Sequence, residues 1–198
     1  MKKQRQKKRG LLFVISGPSG SGKTTLREAL LSGTIIRRQI AKSVSLTTRP
    51  RRSGERMGRD YFFVSKKEFL QKRRQKQLLE WTRYLGHYYA TPKDFLARQL
   101  AHGKHIILCL DSRGARSVKR IFPRSAVTIF VMPPDLTVLE ARIMKRCSRT
   151  RKEEVACRLA LARRELVDAR HYDYCVLNEN LTEAVQILQR IIIEKINR

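Results

Sequence analysis

The chain has 198 residues, 41% of them apolar, and sets 44 Lys and Arg against 17 Asp and Glu for a formal net charge of +27. That length and apolar content fit one globular domain with a buried core. The longest apolar runs, Ile106 to Leu110 and Ala126 to Met132, fall far short of the ~20 residues needed to cross a bilayer. Cys109, Cys147, Cys157 and Cys175 show neither a CxxC pair nor a metal-ligand spacing, which points to reduced thiols in a cytoplasmic protein and away from a disulfide framework.

Residues 1–10 open the chain as a basic tail of Lys, Arg and Gln, the wrong composition for a signal peptide. The charge excess leaves two readings open. One is weak, salt-sensitive attraction to a polyanion such as nucleic acid or an anionic membrane surface. The other is a solvated basic surface with no partner.

Leu11 to Ser16 reads as a buried strand and Lys23 to about Ser32 as a helix. Between them, Gly17-Pro18-Ser19-Gly20-Ser21-Gly22-Lys23-Thr24 fills every fixed position of the pattern GxxxxGK[ST]. A helix that starts after such a loop has backbone N–H groups with no partner inside the helix, and they face an anion. Lys23 adds a mobile positive charge and Thr24 a hydroxyl for a divalent cation, so the loop is built for a polyphosphate. The identity of the phosphate acceptor is not written in this loop.

Residues 43–91 change texture, with short aromatic strand pieces at Tyr61 to Val64 and Tyr88-Tyr89 and turns at Gly54 and Gly58. They read as a small mixed insertion. Lys93 to Ala101 follows as a helix, His105 to Leu110 as a buried strand ending in Asp111, and Ala126 to Met132 as another strand closed by Pro133-Pro134. Leu136 to Leu166 is helical and basic with a break near Cys147 to Thr150. Tyr174 to Leu177 is a last short strand, and Leu181 to Ile196 an amphipathic helix. Strands alternating with helices predict an α/β fold with a parallel sheet flanked by helices.

Within the insertion, Arg49 and Arg52 stand three apart among hydroxyl residues, a set suited to a terminal phosphate, although a charge run alone is equally a solvated face. Glu80-Trp81 and Gly86-His87-Tyr88-Tyr89-Ala90-Thr91 supply a carboxylate, tyrosines and a threonine nearby. A carboxylate accepts both the N1–H and the 2-amino hydrogens of guanine, which adenine cannot offer. His87, His102, His105 and His171 are scattered without a partner pattern, so no nucleophilic triad is expected.

The phosphate loop, Thr47-Thr48-Arg49-Pro50-Arg51-Arg52-Ser53-Gly54-Glu55 with Asp60-Tyr61, Glu80-Trp81, the GxYYxT stretch and the strand ending Asp111-x-x-Gly114 resemble the guanylate kinases in order and spacing, from Leu11 to about Ile193. The resemblance implies a P-loop nucleoside monophosphate kinase fold: a core of residues 11–42, 92–141 and 165–198, a mixed α+β GMP-binding insertion at 43–91 and a helical lid at 142–164. It implies ATP-dependent phosphorylation of GMP, and of dGMP, with Mg2+. ATP would lie on Gly17, Pro18, Ser19, Gly20, Ser21, Gly22, Lys23, Thr24 and Thr25, with Asn178 in the adenine region. GMP would be held by Arg49, Arg52, Tyr61 and Tyr89 at its phosphate and by Ser45, Glu80 and Thr91 at its base. Lys23, Arg52, Arg142, Arg146 and Arg158 would act on the transferring group, and Thr24 and Asp111 on the metal. A guanylate-kinase-like binding module without catalysis and a nucleic-acid-associated P-loop protein are the alternatives; the oligomeric state is not legible.

Three positions depart from the family pattern. Cys109 stands where a carboxylate is usual, two residues before Asp111. Ala90 replaces a glycine, and a Cβ there is strained if φ is positive. Pro50 and Arg51 are in reversed order, with the Arg49 to Arg52 spacing kept.

Overall fold

A computed structural model of the chain describes residues 10–146 and 152–198. Five strands form the main sheet: β1 (Leu12–Ser16), β2 (Ile40–Lys42), β7 (His105–Cys109), β8 (Ala126–Met132) and β9 (Tyr174–Leu177). They run parallel in the order β2-β7-β1-β8-β9. All of β1 is buried, as an apolar run covered on both faces must be.

One face of the sheet carries Phe13, Ile15, Ile107 and Ile129 against Leu26 and Leu30 of α1 (Lys23–Ser32) and Leu188 and Ile192 of α8 (Leu181–Asn197). The other face carries Leu12, Val14, Ile106 and Leu108 against α4 (Lys93–Ala101) and α5 (Ser112–Ile121). Because β1 lies between β7 and β8, the loop after β1 and the residues after β7 leave the sheet side by side at its carboxyl edge. Open parallel sheets bind ligands at that edge.

The insertion forms a separate four-stranded sheet in the order β4-β3-β6-β5, from β3 (Leu46–Thr47), β4 (Phe62–Phe63), β5 (Leu78–Tyr84) and β6 (His87–Pro92). The β5–β6 hairpin turns at Leu85 and Gly86, both with positive φ (47° and 81°), the conformation that lets a two-residue turn follow strand twist. Helix α3 (Lys66–Arg74) covers the outer side, its Phe69 stacked on Tyr88 at 5.0 Å. Ser65 and Glu68 close its start as a capping box.

Helices α6 (Leu136–Arg146) and α7 (Lys152–Val167) meet over Leu139, Ile143 and Ala162, a small cluster apart from the main core. The break expected near Cys147 to Thr150 lies outside the described residues, as does the side chain of Arg146. No described helix is long and apolar enough to cross a membrane.

The strain expected at Ala90 is absent. Ala90 sits inside β6, paired with Leu46 and Trp81, and is not among the residues with positive φ. A Cβ fits there because the strand is extended. Helix α5 was not anticipated. Asp111 makes it a helix start, its carboxylate accepting from Gly114 N–H at 2.7 Å, and Ala115 and Val118 bury the inner face. Helix α2 (Thr34–Gln39) and β2 were also not anticipated, each being too short for a periodic signal.

Candidate active site

The phosphate loop owes its shape to three glycines at positive φ: Gly17, Gly20 and Gly22. At Gly22 a side chain is excluded twice, by φ of +90° and by Asn178, whose Nδ2 lies 2.3 Å from where a Cβ would stand. That Nδ2 donates to the carbonyl of Ser21 at 2.7 Å, so Asn178, buried behind the loop, fixes the peptide that leads into α1. Helices α3, α5 and α8 have side-chain caps, whereas α1 has neither a capping side chain nor an acid in its first turn. The unmatched N–H groups and the positive end of the helix dipole are left for an anion. Lys23 directs its ammonium to the carbonyls of Gly17 and Pro18, at 2.6 and 2.7 Å.

A cavity of about 840 Å³ runs from this loop to the insertion and to the arm formed by α6 and α7. Gly17, Ser19, Gly20, Gly22, Lys23, Thr24, Thr25 and Asn178 line its loop side, and Ser45, Arg49, Arg52, Tyr61, Glu80 and Tyr89 the insertion side. Arg142, Arg158 and Asp111 complete the wall. Pro18, Ser21 and Thr91 do not line it. Pro18 and Ser21 instead shape the loop from within, Ser21 N–H donating to the carbonyl of Pro18 at 3.1 Å.

On the insertion side, strand alternation decides what faces the cavity. Glu80, Thr82 and Tyr84 of β5 point inward, while Trp81 and Arg83 are exposed on the other face. Glu80 is 6% exposed; its Oε1 accepts the hydroxyl of Thr91 at 2.6 Å, and its Oε2 has no partner among the described residues. Thr91, fully buried, touches this carboxylate and is not among the residues that line the cavity. Burial pushes Glu80 up to about 7, the Thr91 bond opposing it and the charge of Asp111 adding to it. The start of α5 backs this group: a Cβ on Gly114 would stand 3.0 Å from Glu80 Oε2 and 3.3 Å from Asp111 Oδ1.

Arg49 is held by Glu55, with Nη2 2.7 and 2.9 Å from the two carboxylate oxygens, and lies over the Tyr61 ring at 5.5 Å. Glu55 also accepts from the backbone N–H of Arg52 at 2.9 Å. One carboxylate thus sets both arginines. Its bonds to them keep the Glu55 carboxyl below its ordinary range against the opposing effect of burial. Tyr61 and Tyr84 each meet the Tyr89 ring edge-on, at 6.0 and 6.3 Å.

From the arm, Arg142 reaches the carbonyl of Asn178 at 3.5 Å and Arg158 is buried in the wall. Cys109 ends β7 with Sγ 3.9 Å from the Lys23 carbonyl. Buried Arg27 of α1 is paired with Glu28 at 2.6 Å. Thr82, Tyr84, Glu55 and Glu165 all belong to this region and were not singled out from sequence. The period of two through Glu80, Thr82 and Tyr84 is the signal that could have found the first two.

An anion-ready helix start at the edge of a parallel sheet, with a second sheet and a helical arm facing it across one cavity, defines the P-loop nucleoside monophosphate kinase fold. A family model described as "Guanylate kinase" matches residues 9–195. Guanylate kinases from Caldanaerobacter subterraneus and Nitrosospira multiformis are 41% and 43% identical to it. The alignments cover 94% and 92% of this chain, and 88% and 85% of theirs. The crystal structure of guanylate kinase from Anaplasma phagocytophilum superposes with a TM-score of 0.79 at 29% identity, covering 94% of this chain and 86% of that one. The chain belongs to the guanylate kinase family.

Proposed function

We propose that the chain transfers the terminal phosphoryl group of ATP to GMP, and to dGMP, giving GDP and dGDP in the cytoplasm. Arg49, Arg52, Tyr61 and Tyr89 hold the acceptor phosphate, and Ser45 and Glu80 read the base while Thr91 aims Glu80. The loop from Gly17 to Thr25 wraps the donor phosphates, with Asn178 bracing it beneath. Lys23 swings from the Gly17 and Pro18 carbonyls to the donor phosphate, and Arg142, Arg146 and Arg158 close from the arm as a lid. Phosphoryl transfer needs in-line positioning and charge neutralisation and no nucleophile from the protein. Closure of the lid over the cavity keeps water from taking the phosphoryl group in place of GMP.

The wall suits a magnesium ion arriving with ATP. Among the described residues no three His, Cys, Asp or Glu gather into a metal cage. Magnesium is commonly held by one or two protein oxygens together with substrate phosphates and water. Thr24 and Asp111, both on the cavity wall, are the groups for it. The ion would neutralise charge on the phosphate oxygens.

The observation that carries this reading is Glu80: a buried carboxylate with a free oxygen, facing the cavity that the phosphate loop also lines. Guanine supplies two donors to it, and a base without them leaves the acid unpaired, which rejects it strongly. ADP formation from ATP, followed by a coupled assay with GMP, dGMP, AMP or no acceptor, tests the proposal. GMP and dGMP are expected to stimulate turnover and AMP to leave it at the acceptor-free rate. No stimulation by any nucleotide would leave a binding module in place of an enzyme.

A further inference from the structure

The cavity wall carries a carboxylate to which the transfer chemistry above gives no task. Glu165 lies on α7, 5% exposed, and its Oε2 has no hydrogen-bond partner among the described residues. A buried carboxylate without a partner costs free energy, so its surroundings have to fix it in place. Arg158, Ala162 and Glu165 follow one another at helical spacing and all three are buried. The inner stripe of α7 therefore brings a guanidinium and, two turns later, a carboxylate to the same cavity.

Three elements act on Glu165. Lys23 of α1 favours its charged form; Asp111, before α5, and Asp168, after α7, oppose it. Tyr84 of β5 and Tyr172 feel its charge in turn. Burial is the largest influence and pushes the acid up to about 7. Asp111 and Glu165 both line the cavity that the phosphate loop lines, with one Asp111 oxygen spent on Gly114 N–H. Two carboxylates facing one space are relieved by a cation placed between them. Thr24 lines the same cavity, and an ATP phosphate would supply the remaining oxygens.

We propose that Glu165 is a positioning residue for the magnesium that accompanies ATP, accepting hydrogen bonds from the water shell of the ion opposite Asp111. The helix that bears Arg158 then senses the metal through that water shell. This inference rests on the reading of the cavity as the MgATP site.

The charge logic gives opposite signs with and without metal, which a purely structural role would not produce. ATP binding is measured by calorimetry on the whole chain in excess EDTA and again in excess Mg2+, for the parent chain, Glu165→Gln and Glu165→Asp. Removing the negative charge is expected to leave metal-free ATP bound equally well or up to about threefold tighter, because repulsion of the phosphates falls. The same variant is expected to bind MgATP about tenfold more weakly. Glu165→Asp keeps the charge with a shorter reach. It gives an intermediate MgATP affinity, and tests the idea should the glutamine variant not fold. Equal weakening with and without Mg2+, or parent-like MgATP affinity in both variants, overturns the proposal. Failure of the parent chain to bind ATP in either condition would overturn the underlying site reading as well.

Discussion

The two sides of the cavity are built by opposite means. The loop side presents glycines and an uncapped helix start, over a sheet that is apolar and packed. The insertion side presents charged side chains kept in place by other side chains: Arg49 by Glu55, and Glu80 by Thr91. A backbone cradle accepts any polyphosphate and tolerates change in its neighbours. A network of paired side chains selects one nucleotide but fails when any member is removed. On the proposed function, universality resides in the loop and specificity in the insertion.

Substitutions that separate the two sides rank by expected effect. Lys23→Ala should lower kcat by about a thousandfold, since it removes a charge acting on the transferring group, while GMP affinity measured by calorimetry stays within twofold. A GMP affinity that falls in parallel would join the two sides into one unit. Glu80→Gln should raise the KM for GMP about a hundredfold, because a neutral amide cannot accept both guanine donors. ATP binding should be unchanged, and the preference for GMP over AMP should largely vanish.

Gly114→Ala is a finer probe. Its Cβ would press on the carboxylate of Glu80 from 3.0 Å and, less closely, on Asp111 from 3.3 Å, so the KM for GMP should rise about tenfold and the KM for ATP by less. The pH profile sharpens the same point. The folded pKa of Glu80, near 7, lies above that of an unfolded Glu at about 4.3, so the folded chain keeps a proton that the unfolded chain has lost. This group's contribution to stability therefore falls from about pH 4 to about pH 7 and is flat above. GMP needs the ionised acid, so its KM should drop as pH rises through 7 and show no such step in Glu80→Gln. Smallest of all, Cys109→Asp would set a carboxylate on the cavity wall and is expected to improve kcat/KM for GMP two- to fivefold. Unchanged kcat and KM would remove position 109 from the acceptor site.

The donor side was legible in the sequence because its function needs glycines at set intervals, between an apolar run and a helix, and that pattern has few other uses. Every member of the main sheet except β2 could be read for the same reason, as apolar runs bounded by turns. The insertion was legible only as a set of residue types. Which atoms pair across it depends on the β5–β6 register and on the approach of α5, contacts between segments distant in the chain. The bond from Thr91 to Glu80 and the steric task of Gly114 are thus invisible from spacing. Glu165 went unseen because an acid in a strongly charged helix looks solvated; only the packing of α7 shows that it is buried.

The most direct test of a donor cradle and a guanine pocket sharing one cavity uses a single molecule that spans both. An adenosine and a guanosine joined 5′ to 5′ through a pentaphosphate should bind at least a hundredfold tighter than ATP or GMP alone, because linkage makes the second contact intramolecular. The analogue with two adenosines should lose most of that gain. Equal affinity of the two analogues, or affinity no greater than that of ATP alone, would contradict the two-nucleotide site.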